Sequence, residues 1–121
     1  RRRASSKARL AFCLDTCHVW AAGYDIVTRN GWKSMLEEAD RTIGLERIVV
    51  IHANDSKKPR GCRVDRHERI GLGAIGEKGF ANLMTEPIFE KVPKILETPK
   101  DEAGEYDRQG LAALRRLAGH A

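Results

Sequence analysis

The run Arg47-Ile48-Val49-Val50-Ile51, with His52 directly after it, is apolar and β-branched almost throughout. It predicts a central strand, because branched side chains suit a pleated surface covered on both sides. Two other runs are short and largely apolar. Residues 8–14, Ala-Arg-Leu-Ala-Phe-Cys-Leu, read as a buried strand, and Pro93-Lys94-Ile95-Leu96 reads as a third. The proline of the third opens the strand, where a missing donor is tolerated.

Between these runs the pattern is helical. Asp15-Thr16 opens a short helix through Ala22 that Gly23 closes, and Trp32, Met35, Leu36, Ala39 and Ile43 recur at helical spacing before Gly44. Phe80, Leu83 and Met84 share one face of a later helix, and Leu111, Leu114 and Leu117 are expected as the buried stripe of the last. The order is β-α-α-β-loop-α-β-α, and helical connections favour parallel strands in an α/β fold. Three parallel strands leave two long open edges, so the chain reads as a slice of a larger fold. Its first residue is Arg1 and not Met, which fits a start partway through a longer gene product, or processing.

The chain has 121 residues, 41% hydrophobic and 32% charged, enough for one small domain, 1–121. No apolar run approaches the ~20 residues of a membrane span, and the basic start Arg1–Lys7 lacks the apolar stretch of a secretion signal. Three cysteines, an odd number, argue against a disulfide framework and for a reducing, intracellular (cytoplasmic) compartment. The net charge of +5 fits a polyanionic partner such as nucleic acid, and no membrane partner is expected.

Each predicted strand ends in a side chain that can hold a metal: Asp15, His52 and Glu97. The C-terminal ends of parallel strands form one face, so the three converge. Two carboxylates and an imidazole suit Zn, Mn or Fe. From Asn54 to Gly76 the chain turns polar and basic without periodicity, which marks 54–76 as an active-site loop. It carries Asp65-x-His67, two residues on one side of an extended segment. With His18, one helical turn beyond Asp15, they make a second cluster: His18, Asp65, His67. Any one of these residues alone reads as a cap or a satisfied polar group; their convergence points to a metal site able to clamp a phosphate. Of the four histidines only His120, near the C-terminus, has no place in it.

The same loop carries Lys57, Lys58, Arg60, Arg63, Arg66 and Arg69. Beside a carboxylate-rich site these cations would bind phosphates, Arg66 first, with Lys57 and Ser56. Gly71-x-Gly73-x-x-Gly76 follows a loop and not a strand, so it fails the context of a dinucleotide fingerprint, while a phosphate cradle stays open. Cys13-x3-Cys17-His18 lacks a second pair at zinc-finger spacing. Cys13 is expected as interior filling and Cys17 as helix packing.

Cys13-Leu14-Asp15-Thr16-Cys17-His18, followed by Ala21-Ala22-Gly23-Tyr24-Asp25, resembles a motif of the endonuclease IV family of apurinic/apyrimidinic endonucleases. His52-x-Asn54-Asp55-Ser56-Lys57, the stretch from Arg63 to Gly76, and Ile95-Leu96-Glu97-Thr98-Pro99 are similar to that family's later motifs, in order. The resemblance implies a (β/α)8 TIM barrel, of which this chain would be the C-terminal three strands, an incomplete barrel. It implies a three-zinc site and cleavage of DNA 5′ to abasic sites, leaving a 3′ hydroxyl, in base excision repair. Asp15, His52 and Glu97 would be ligands of one zinc, with Asp15 and Glu97 catalytic as ligands, and His18, Asp65 and His67 the protein set of another. The family's further two histidines and bridging glutamate come from earlier strands, so at most about two sites are represented and the fragment alone is expected to be inactive, or nearly so. A missing N-terminal barrel half would then be a partner. Two alternatives stand beside this one: a metal-dependent sugar isomerase-like barrel, and a non-catalytic truncated fragment with residual metal or DNA binding.

Overall fold

In a computed structural model, residues 10–119 are described. Arg1–Lys7, the first two residues of the predicted first strand, and His120 lie outside the described residues. In chain order the elements are β1 (Phe12–Asp15), α1 (Thr16–Ala21), α2 (Arg29–Thr42), β2 (Ile48–His52), β3 (Asp55–Ser56), β4 (His67–Glu68), α3 (Gly76–Met84), β5 (Lys94–Ile95) and α4 (Glu105–Leu117). β1, β2 and β5 form a parallel sheet with β2 in the centre, as the β-branched run requires. The register sets Asp15 beside His52 and His52 beside Ile95. One face of the sheet therefore ends in the expected ligands.

That face is open. Cys13, expected as filling, is exposed on it, and Ile95 is 46% exposed. Ile51, on the opposite face, is fully buried in a core with Trp32, Phe80 and Phe89. Trp32 meets the edge of Phe89 at a centroid distance of 6.3 Å and donates its indole N–H to Glu86 Oε1 at 2.8 Å. The sheet is a partial parallel sheet with helices, and no closed barrel forms among the described residues.

Local chemistry sets the helix starts. Asp15 caps α1 through Oδ1, which accepts from Cys17 N at 2.9 Å and His18 N at 3.2 Å. Thr28 caps α2 by accepting from Gly31 N, and Asp25 holds Thr28 through its hydroxyl at 2.6 Å. α4 departs from expectation. Leu111 is 42% exposed, and the buried line runs through Gly110 and Leu114 instead. On the buried side Gly110, lacking a Cβ, leaves room for the Leu96 side chain against its backbone.

The polar segment 54–76 is more ordered than its sequence suggests. β3 and β4 pair antiparallel, Asp55 opposite Glu68 and Ser56 opposite His67. The carboxylate of Asp55, fully buried, accepts from the backbone N–H groups of Ser56, Gly71, Gly73, Ile75 and Gly76. Burial pushes this carboxyl above its usual range, and the converging N–H groups oppose that shift. The glycine pattern thus cradles an anion, but the anion is the chain's own Asp55. Gly73 has to be glycine, since a Cβ there would collide with the Ser56 carbonyl and the Asp55 carboxylate.

Asp55→Ala leaves those buried donors without an acceptor and should cost about 3 kcal/mol or more. Urea unfolding checks this, with the exposed Glu37→Ala changing stability by less than about 0.5 kcal/mol. Equal midpoints for the two variants would remove Asp55 from its structural role.

Candidate metal centre

Because Oδ1 of Asp15 is committed to capping α1, its Oδ2 is the atom turned outward. It lies 3.8 Å from His67 Nε2 and 3.5 Å from the Asn54 side-chain nitrogen. His52, one strand over, places Nδ1 2.8 Å from Glu97 Oε1. Glu97 follows β5, and its backbone N–H donates to Asn54 Oδ1 at 2.8 Å.

His67 reaches this group from the loop. β3–β4 pairing folds the segment back, and Lys57 N–H donates to the Arg66 carbonyl at 2.9 Å to hold the return. His67 Nδ1 lies 2.8 Å from the Glu97 carbonyl oxygen. A carbonyl can only accept, so Nδ1 donates, and Nε2 is the nitrogen turned to the site. Nε2 faces Asp15 Oδ2 and also Asp65 Oδ1, at 3.4 Å. A ring fixed through one nitrogen so that the other can ligate is the usual preparation of a metal-binding histidine.

Two groups of potential ligand atoms result, each within 4.8 Å of one another: Asp15, His67 and Glu97, and Cys17, Asp65 and His67. The donor chemistry fits a borderline divalent ion, with carboxylate oxygens and an imidazole nitrogen. Carboxylates this close repel one another, and a cation relieves that repulsion. The grouping differs from the expected one. His52 stands against Glu97, outside the tightest set. His18 is exposed and shares with Asp65 a cavity of about 210 Å³, lined also by Ala21, Ala22 and Arg63. Cys17 takes the inner place beside Asp65 and His67. Burial first, and then the hydrogen bond with Asp65, push its thiol up to about 12. It stays protonated and donates to the Arg66 carbonyl at 3.5 Å, as a packed helix residue would.

Of the expected phosphate contacts, Arg66 is exposed beside the ligands. Lys57 is exposed too, but its ammonium sits 3.2 Å from Glu68 Oε2. Ser56 is corrected: it is fully buried, and its hydroxyl is spent on Lys58, donating to the carbonyl and accepting from the N–H. It has no surface for a ligand. Arg69 is likewise engaged, stacked 3.6 Å over the Tyr106 ring and bonded to Gln109.

Sequence reasoning missed Thr16 and Asn54. Thr16 Oγ1 donates to the Asn54 carbonyl at 2.7 Å and accepts from the Asn54 N–H at 2.9 Å, tying the end of β1 to the end of β2. The available signal was position: a polar run directly after a buried strand has to satisfy its own backbone.

The comparisons agree with this architecture. The family model described as "Xylose isomerase-like TIM barrel" matches residues 2–117. The chain therefore belongs to that family. Within it, the chain is similar to proteins named endonuclease 4 or endonuclease IV. It is 46% identical over 113 residues to a probable endonuclease 4 of Geobacter sp. strain M21, covering 93% of this chain and 40% of that protein. A probable endonuclease 4 of Geobacter sulfurreducens is 51% identical over 109 residues, 90% of this chain and 37% of the relative. The solved endonuclease IV of Thermus thermophilus superimposes with a TM-score of 0.78 at 39% identity, over 90% of this chain and 39% of that one. The chain thus spans well under half the length of the relatives it matches. Among the described residues, no helix is long and apolar enough to cross a membrane.

Burial separates the three thiols. At pH 8 an alkylating reagent should modify Cys13 and Cys62 in the folded chain, and Cys17 only after unfolding in urea. Mass spectrometry of the labelled peptides reads this directly, and rapid native labelling of Cys17 would contradict its place behind Asp65 and His67.

Proposed function

We propose that this chain carries the C-terminal part of the active centre of a zinc-dependent DNA repair endonuclease that cuts the backbone 5′ to abasic sites and leaves a 3′ hydroxyl. The observation that supports it most is the convergence of Asp15 and Glu97, at the C-terminal ends of parallel strands, with His67 from the antiparallel ribbon of the loop. The relatives' printed names, endonuclease 4, favour a nuclease over a sugar isomerase.

On this reading Asp15, His52 and Glu97 hold one zinc ion, and His18, Asp65 and His67 hold another. Zinc bound there supplies Lewis-acid chemistry: it activates water near neutral pH and neutralises charge on the phosphoryl group. The chain's own residues do the rest. Asp15 and Glu97 act as ligands, each with a second commitment that fixes its orientation: the α1 cap for Asp15, and the Asn54 and His67 hydrogen bonds for the Glu97 backbone. His67, held through Nδ1 at the Glu97 carbonyl, turns Nε2 toward the metal position. Arg66, with Lys57 once drawn from Glu68, meets the phosphates flanking the lesion, and the net charge of +5 favours the approach of DNA.

In the family that the motifs resemble, the remaining ligands come from earlier strands, and among the described residues the close groups are Asp15, His67 and Glu97, and Cys17, Asp65 and His67. This chain should therefore bind zinc and yet leave duplex DNA with a single abasic site uncut, or nearly so. A gel assay for incision, run with zinc titration followed by calorimetry, tests both halves. Zinc-dependent incision at an ordinary enzyme rate would overturn the half-centre reading, and no zinc binding would overturn the ligand assignment. Arg66→Ala should weaken binding to any duplex and lower the slope of log K against log[salt] by about 0.9. An unchanged slope would remove Arg66 from the phosphate contacts.

A further inference from the structure

We infer that Asn54 is a positioning residue for the metal centre, using its side-chain amide to hold the Asp15 carboxylate and the Glu97 backbone in one arrangement. The inference rests on the reading of Asp15 and Glu97 as ligands and says how the chain keeps them in place.

Asn54 is fully buried, the residue directly after Ala53 beyond the end of β2. Its two side-chain ends point at two different ligand-bearing segments. Oδ1 accepts the Glu97 N–H at 2.8 Å, and Nδ2 lies 3.5 Å from Asp15 Oδ2, the oxygen that the α1 cap leaves unused. Its own backbone is pinned on both sides by the Thr16 hydroxyl. One amide thus joins the C-terminal ends of all three parallel strands. The polarity of each end is required: only an acceptor satisfies the Glu97 N–H, and only a donor can face a carboxylate without repulsion. Asp15 Oδ2 also faces His67 Nε2 at 3.8 Å, too far for a hydrogen bond and suited to a shared ion. An amide donor on Oδ2 restricts which lone pair the carboxylate presents to that ion. Such outer partners commonly alter metal affinity by about 10–100-fold when removed.

A purely structural role would predict only lost stability, so the test needs a matched control. Asn82 is a second buried asparagine; its amide donates to the Ile26 and Val27 carbonyls, with no ligand among its partners. The full 121-residue chain, Asn54→Ala and Asn82→Ala are titrated with Co(II), following the visible d–d bands, with circular dichroism as the check on folding. Asn54→Ala should lose about tenfold in Co(II) affinity and shift the bands, while Asn82→Ala loses stability but keeps both affinity and spectrum. If Asn54→Ala does not fold, the unmodified chain labelled with ¹⁵N decides: zinc should move the Asn54 side-chain amide signals and leave those of Asn82 in place. An Asn54→Ala chain equal to the unmodified one in affinity and spectrum, or an Asn54 amide unmoved by zinc, overturns the inference alone. An unmodified chain that binds no Co(II) overturns the ligand reading, and this inference with it.

Discussion

Five backbone N–H groups closing on the buried carboxylate of Asp55 are the constraint around which the rest of the chain is arranged. A carboxylate so deep in the fold is unfavourable unless its lone pairs are met, and a loop rich in glycine can meet them because its backbone approaches without Cβ atoms in the way. The loop therefore cannot drift. Ser56 lies opposite His67 and Asp55 opposite Glu68, and α3 begins where the last of the donors, Gly76, is reached. A segment without periodicity becomes as determined as a strand, by hydrogen bonds to one side chain.

That anchoring links fold to site. Parallel register alone brings Asp15 beside His52, with Glu97 just past β5. It does not bring His67, which lies well beyond His52 in sequence. The folded loop does so, and the Glu97 carbonyl then fixes the ring's orientation through Nδ1. The same logic of polar groups with double duties recurs in Asp15, whose one oxygen starts a helix while the other faces the site. Loop and helix also support each other: Gly61 and Arg63 donate to the Trp20 and Ala21 carbonyls at the end of α1, and the Trp20 indole donates to Lys58. Arg63 takes a positive φ of 61° to make its bond, strain that the neighbouring contacts hold in place.

Much of this was legible in the sequence. Short apolar runs, one of them β-branched, mark three strands, apolar spacing marks the helices, and the parallel order follows from helical connections. Strand ends pointed to Asp15, His52 and Glu97 because side-chain identity at a chain reversal can be read directly. Other features depended on which way a side chain turns, and that is a tertiary matter. Leu111 fits a helical stripe, but in α4 Gly110 packs against Leu96 and Leu111 faces outward. Ser56 looked like a phosphate contact in a basic loop, yet the ribbon turns it inward. His18 and Cys17 are adjacent on one helix, and only the fold shows that the thiol, not the imidazole, faces the inner side of Asp65 and His67. Asp55 and Asn54 were hardest to see, since buried polar residues answer to backbone groups far away in sequence.

On the proposed reading, strand ends and loop hold zinc through carboxylates and imidazoles. X-ray absorption at the zinc edge of the loaded chain decides this. Nitrogen and oxygen neighbours are expected at about 2.0–2.2 Å, with the outer scattering of histidine rings. A sulfur neighbour at about 2.3 Å would make Cys17 a ligand and contradict that arrangement.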